Sequence, residues 1–439
     1  MLGRPHEAGS AGSDLPARRH HELSATPQTA TAPGTGRVLS IDLLRGADVL
    51  LMLFVNEIAG VRGAPAFLLH TPRGGDAMTI TDVVFPAFLF ITGMSIPFAL
   101  GGRLRRGQSR SEVWRHVLTR TLALLVMGVL MVNVEQTRGG GVLGIDLWNV
   151  LMTVGVVLVW QAPLGETARR WETRLRAVGI ALLVVLAFLY RTQGATGLVQ
   201  LRPHWWGILG LIGWAYLVAA SLYLVVGEKV AAHVGLVGLL YCLYLADEAG
   251  QLRALAAVRP WLPVGQDLGS LAAVALSGTV LGLMLVRHRR EGGSPRAFVL
   301  PALGYAAGLE AAGLLLHAPH ALHPAFTIDK PLATLPWCLL SSALTAAAWV
   351  VVFFVADVKG WRRWPRVFTI GGENALLAYF LAPFFLSLFA LSAPVFGGTN
   401  PYGALGEHTA IGVVRSAVFA WAVVRLCGWM RSRGLRLHI

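Results

Sequence analysis

Apolar residues gather along the chain into long blocks separated by short Gly-, Pro- or Arg-rich connections, and no strict alternation of the kind a half-buried strand shows runs through them. A helix that crosses a bilayer needs roughly 20 predominantly apolar residues. Blocks that reach or approach this length lie near 39–60, 79–100, 114–134, 145–162, 175–190, 205–226, 229–246, 267–286, 297–317, 333–355, 368–391 and 409–429. The pattern predicts an all-α fold, a polytopic integral membrane bundle of about twelve transmembrane helices. The fifth and seventh blocks are short, so ten or eleven stay open. Residues 1–36 break the pattern: they are rich in Ala, Gly, Pro, Ser and Thr around Arg18-Arg19-His20-His21, with no apolar core. They are expected to be a disordered tail and not a signal peptide. The expected organisation is that tail, a membrane domain over 37–432 and a basic tail over 433–439. No repeat of fixed period is found.

Composition agrees with the pattern. Of 439 residues 55% are hydrophobic and only 14% charged, and the mean hydropathy is +0.60, far from the soluble norm of about a quarter charged. A net charge of +14 would point to nucleic acid in a soluble chain. Here the excess follows the connections. With the N-terminus inside, "GGRLRRGQSR", "ARRWETRLR", "VRHRREGGSPR", "DVKGWRRWPR" and "RSRGLRLHI" all fall on one side, giving roughly 25 Lys and Arg inside against roughly 8 outside, a bias that sets orientation. Both termini are therefore expected in the cytoplasm, the partner is the lipid bilayer, and no nucleic acid is implied. The preference for Arg over Lys suits a GC-rich bacterial genome, hence a bacterial cytoplasmic membrane. Cys242, Cys338 and Cys427 lie in apolar blocks without paired spacing, so neither disulfides nor a zinc site is indicated and no metal is expected.

Polar residues inside the blocks are costly and mark either internal pairs or function. The first block, "RVLSIDLLRGADVLLMLFVNEIAG", carries Asp42, Arg45 and Asn56. Asp42 and Arg45 share a helical face and suit an ion pair; Asn56, eleven residues on, lies about 16 Å further across the membrane. His70 follows in the outer connection, where a lone His is ordinarily a surface residue. Thr79, Thr81 and Asp82 read as the cap of the second helix, whose positive end would favour developing negative charge nearby. Pro86 predicts a kink there. Glu310 sits mid-block without a cation on its own helix, Lys330 lies in an outer connection, and Glu373-Asn374 follow Gly371-Gly372, where a backbone or ligand can approach closely.

"SIDLLRGADVLLMLFVN", the His70 connection, "TITDVVFPAFLFITGMSI", and downstream "DKPLATLPW", "DVKGWRRWP" and "GGENALLAYF" together resemble the heparan-alpha-glucosaminide N-acetyltransferase family and its bacterial relatives, most densely over 37–100 and 325–385. The resemblance implies transfer of an acetyl group from cytosolic acetyl-CoA to a sugar or glycan acceptor on the far side of the membrane. His70 matches the family's catalytic histidine and Asn56 the asparagine before it. His70 would then be the general base and Asn56 a donor to the thioester oxygen, with Asp82 grouped with them. The coenzyme would sit near Asp42, Arg45, Arg103, Arg105, Arg106 and Asn374, the acceptor near Lys330 and Glu310. Direct transfer is favoured over an acetyl-histidine, and a homodimer stays open. The His70 connection is longer than in the animal enzymes and lacks their aromatics. The Asn-Lys motif becomes Asp329-Lys330, and extra spans occupy 205–246, so a glycosaminoglycan is not the expected acceptor. The rival reading is a twelve-span secondary transporter with Glu310 and Asp82 as proton or ion sites; a non-catalytic scaffold is the third.

Overall fold

The computed structural model describes residues 38–136, 143–161, 169–192, 197–361, 363 and 366–439. The expectation for residues 1–36 lies outside them. Fourteen α-helices form the described chain: α1 (Leu39–Ile58), α2 (Ile80–Arg105), α3 (Arg110–Gln136), α4 (Ile145–Trp160), α5 (Arg169–Leu189), α6 (Gly207–Val226), α7 (Val230–Glu248), α8 (Leu271–Arg290), α9 (Pro295–His317), α10 (Leu335–Phe353), α11 (Arg366–Glu373), α12 (Ala375–Ser392), α13 (Pro401–Ala404) and α14 (Thr409–Ser432). Turns of π-helix, Val264–Ser270 and Phe354–Val358, extend α8 and α10. No strand occurs among the described residues, so the fold is an all-α membrane bundle.

Every predicted apolar block falls on a helix. Among the described residues nine helices, α2, α3, α6 to α10, α12 and α14, are long and apolar enough to cross a membrane by length and composition. Of the rest, α4 is a shorter apolar helix, while α1 and α5 carry several charged side chains each. One block differs from expectation. Residues 368–391 were expected as a single span, but the chain breaks at Asn374 (φ −134°, ψ 33°) into α11 and α12. Hydropathy runs on through the break, and the Gly371-Gly372 pair beside it supplies the freedom to turn.

Contacts between connections gather the helix ends into two groups. At one end the α1–α2 connection meets the α9–α10 connection and the segment before α14. At the other, Arg105 and Arg290 grip Glu228, and Glu373 pairs with Arg431.

The centre is α8, almost wholly buried, lying along α2. Lipid tails are as apolar as Leu, so membrane helices associate through close packing of small residues rather than by expelling water. Here a Cβ at Gly93 would run into the Ala275 carbonyl, and one at Gly278 into the Phe90 carbonyl. The Thr279 hydroxyl donates to the Gly93 carbonyl at 3.1 Å. The same logic joins α1 to α11: a Cβ at Gly46 would strike the Phe368 carbonyl and one at Gly372 the Asp42 carbonyl. The close approach expected at Gly371-Gly372 is thus to the backbone of α1. Cys338 and Cys427 are buried packing thiols; Cys242 is exposed.

Candidate active site

Thr79 caps α2, and Asp82, three residues on, closes the capping box: its Oδ2 accepts the Thr79 backbone N–H at 3.1 Å. That satisfies one of the donors every helix leaves open at its start. The Thr79 and Thr81 hydroxyls donate to the Leu69 and Leu68 carbonyls, each at 2.7 Å, which fixes the chain just ahead of His70. The Thr71 N–H also donates to Asp82 Oδ2, at 3.1 Å. His70 is therefore held from both sides, and its Nδ1 comes within 2.7 Å of Asp82 Oδ1.

The Asp82 side chain is fully buried, while that of His70 is 48% exposed. A buried carboxylate on Nδ1 selects the tautomer with the proton there, leaving the lone pair on Nε2. Lys330 completes the cluster. Its Nζ lies 3.1 Å from Nδ1 and 3.4 Å from Nε2 of His70, and 3.9 Å from Asp82 Oδ1. With Nδ1–H committed to Asp82, Nε2 is the ring nitrogen left to accept from the ammonium. Burial pushes the Lys330 ammonium down to about 8, the attraction of Asp82 opposing that shift.

Lys330 is placed by its neighbour. Buried Asp329 accepts the Gly74 N–H at 2.6 Å and the Leu332 N–H at 2.9 Å, and its own N–H donates to the Thr334 hydroxyl. The Asp329 carboxylate thus ties the Lys330 connection to the His70 connection.

The other predicted acceptor and oxyanion residues make no hydrogen bond to this cluster among the described residues. Asn56 is exposed near the end of α1 and makes no hydrogen bond among the described residues. Glu310 is exposed on α9, likewise without hydrogen bond or ion pair among them.

At the opposite end a cavity of about 420 Å³ opens between α1, α2, α3, α6, α11 and α12. Arg45, Arg120, Ser95, Tyr216 and Asn374 give it polar walls. Arg45 pairs with Asp42 at 3.1 Å, as expected, and also donates to Ser95 Oγ at 2.5 Å. Asn374 is buried and donates to the Cys427 carbonyl at 3.4 Å. The lining follows α2 from Leu100 up to Phe85, about 22 Å of helix, and Phe85 is about one turn from Asp82. Leu437, His438 and Ile439 also line the cavity, because the chain after α14 folds back and the His438 N–H donates to the Trp160 carbonyl at 2.8 Å.

Arg103, Arg105 and Arg106 do not line this cavity. Arg103 donates to Gln108, and Arg105 is held by Glu228. Arg120, which lines it together with Arg45, sits inside the third apolar block, where a charge in a span was itself the signal. The same signal marks two acids of α1 beyond Asp42. Asp48 is buried, with Oδ2 lacking a hydrogen-bond partner among the described residues, and borders an apolar groove of about 460 Å³ between α1, α2 and α10 that runs up to Thr79. Glu57 accepts the Tyr402 hydroxyl at 2.6 Å, pinning α1 to α13.

No family model matches the chain. Over 122 residues, 28% of the chain, it is 34% identical to mouse (Mus musculus) heparan-alpha-glucosaminide N-acetyltransferase, and over 103 residues, 24% of the chain, 32% identical to the human (Homo sapiens) protein of that name. The matched stretches span 18% and 15% of those proteins. Over this partial stretch the chain is a relative of the heparan-alpha-glucosaminide N-acetyltransferases.

Proposed function

We propose that the protein is a membrane acetyltransferase that moves the acetyl group of acetyl-CoA to a sugar or glycan acceptor held at His70. The observation that carries this reading is the cavity whose lining begins among Arg45 and Arg120 and ends one helical turn from the carboxylate that orients His70. The coenzyme would enter from the cytoplasmic, Arg-rich end, its phosphates against Arg45 and Arg120 and its arm along α2. The name of the matched relatives, N-acetyltransferase, supports the reaction class.

In the proposed reaction the acceptor's lone pair attacks the thioester carbonyl while His70 Nε2 takes the acceptor's proton. Asp82 holds Nδ1–H and stabilises the imidazolium that forms, as the carboxylate does in a serine-protease triad. The oxyanion is met by the Lys330 ammonium, with the Asn56 amide as a second donor. Collapse breaks the C–S bond, and the departing sulfur takes the proton back from His70. Direct transfer needs no acetyl-enzyme.

Purified protein in detergent, given radiolabelled acetyl-CoA and a panel of amino sugars and glycans, should label one acceptor class, and His70→Ala should abolish labelling while leaving the elution profile intact. Full activity in a folded His70→Ala variant refutes the site. The break at Asn374 and the buried Asp48 favour the second reading, secondary transport. Against it, Asp82 is engaged by His70 and Glu310 faces out of the bundle. Counterflow of labelled solute in proteoliposomes without acetyl-CoA would establish transport instead.

A further inference from the structure

Beside the His70 cluster, a second group of ionisable side chains joins the same two connections. Asp76, from the α1–α2 connection, meets His317, the last residue of α9, and His320 in the turn that follows. One ligand atom from each lies within 4.8 Å of the others. His317 Nε2 is 2.9 Å from Asp76 Oδ1, and the same oxygen accepts the Ile328 N–H at 2.7 Å. Oδ2 takes no hydrogen bond among the described residues. The two imidazoles stack at 4.8 Å with 14° between their planes, and His320 spends Nδ1 on the His317 carbonyl, its Nε2 taking no hydrogen bond among the described residues.

A simple ion pair would account for His317 and Asp76 alone. It leaves unexplained why a second imidazole is laid on the first, and why Asp76 keeps a left-handed backbone (φ 42°), uncommon for a residue with a Cβ. Two imidazole nitrogens and a carboxylate oxygen are the donor set of three-ligand zinc sites with one open position. Tetrahedral ligands at about 2.0–2.1 Å from zinc stand roughly 3.3 Å apart, so the widest pair must close by about 1.5 Å. His320 is exposed and in a turn, so one side-chain rotation supplies that movement.

We propose that Asp76, His317 and His320 bind a divalent transition-metal ion of the zinc class, and that this ion clasps the connection carrying His70 to the one carrying Lys330. Asp76 lies six residues before Asp82, and Ile328, which it also holds, lies two before Lys330. The ion therefore sets the spacing of the acid–base cluster from outside it and takes no part in proton transfer. The proposal does not depend on the acetyltransferase reading.

The test is titration of chelator-treated, full-length protein in detergent with Co²⁺ alone, read by its visible d–d absorption, and with Zn²⁺ alone by calorimetry. One equivalent should bind with tetrahedral-type bands and raise Tm. His320→Gln, which keeps a polar side chain at an exposed position, and Asp76→Asn should each weaken binding at least tenfold. His323→Ala should leave binding unchanged, since the Nδ1 of His323 is occupied by the Ala325 N–H. His20→Ala with His21→Ala removes the tail imidazoles and should likewise change nothing. Absence of a bound equivalent at micromolar metal, or binding unchanged in both His320→Gln and Asp76→Asn, overturns the proposal.

Discussion

His70 and Asp82 meet at 2.7 Å across a loop that starts and ends at the same helix cap, so the residue that closes α2 is also the one that orients the imidazole. Replacing Asp82 by Asn keeps the shape but offers an amide where a carboxylate oxygen is needed. The Nδ1–H is then no longer selected and the imidazolium is no longer stabilised. Asp82→Asn is expected to lower kcat by about 10²–10⁴-fold, with the KM for acetyl-CoA nearly unchanged, measured by initial rates with labelled donor.

Lys330 supplies a pH limb. Its ammonium, lowered by burial to about 8 against the pull of Asp82, is charged below that pH and neutral above it. If the charge stabilises the oxyanion, kcat should fall as pH rises through about 8. Lys330→Arg, charged throughout, should remove the alkaline limb, and Lys330→Met should be slow at every pH. The stability sign is the reverse: between about 8 and the ordinary lysine range near 10.4 the unfolded chain binds the extra proton, so this group makes the fold more stable as pH rises.

Donor binding separates the arginines. Arg120 and Arg45 line the cavity, whereas Arg105 is committed to Glu228. Loss of a charged hydrogen bond is worth about 1.5–3 kcal/mol, so Arg120→Ala and Arg45→Ala should raise the acetyl-CoA KM by about ten- to a hundredfold. Arg105→Ala should leave it within about twofold. Equal effects from all three would place the coenzyme on the surface rather than in the cavity.

The joint between α1 and α11 gives a stability prediction. A Cβ at Gly46 meets the Phe368 carbonyl, which is backbone and cannot swing aside, whereas one at Gly60 meets only the Glu57 carbonyl at 3.8 Å. Overpacking costs about 1–3 kcal/mol, so Gly46→Ala should lower Tm by several degrees in a scanning assay in detergent. Gly60→Ala should leave it in place.

Hydropathy and charge made most of the scaffold legible, because span length and the cost of intramembrane charge are local properties of the sequence. Asp82 as a cap, the Asp42–Arg45 pair and a close approach at Gly371-Gly372 were readable for the same reason. The meeting of His70 with Lys330 was not: they are 260 residues apart, and only the packing of α2 and α10 around the bundle brings them together. The break at Asn374 was hidden by continuous hydropathy. Asp48, Glu57 and Arg120 were visible as charges in apolar blocks, yet nothing local distinguishes a residue that lines a cavity from one that pins two helices.

The double duty of Asp82 limits how this site can be lost. A chain drifting towards inactivity by changing that carboxylate would loosen the start of a central helix at the same time, and selection for folding would resist it. Half-exposed His70, among the described residues, finds its side-chain hydrogen-bond partners in Asp82 and Lys330 and caps no helix. A silent descendant of this protein is therefore expected to keep the aspartate and lose the histidine.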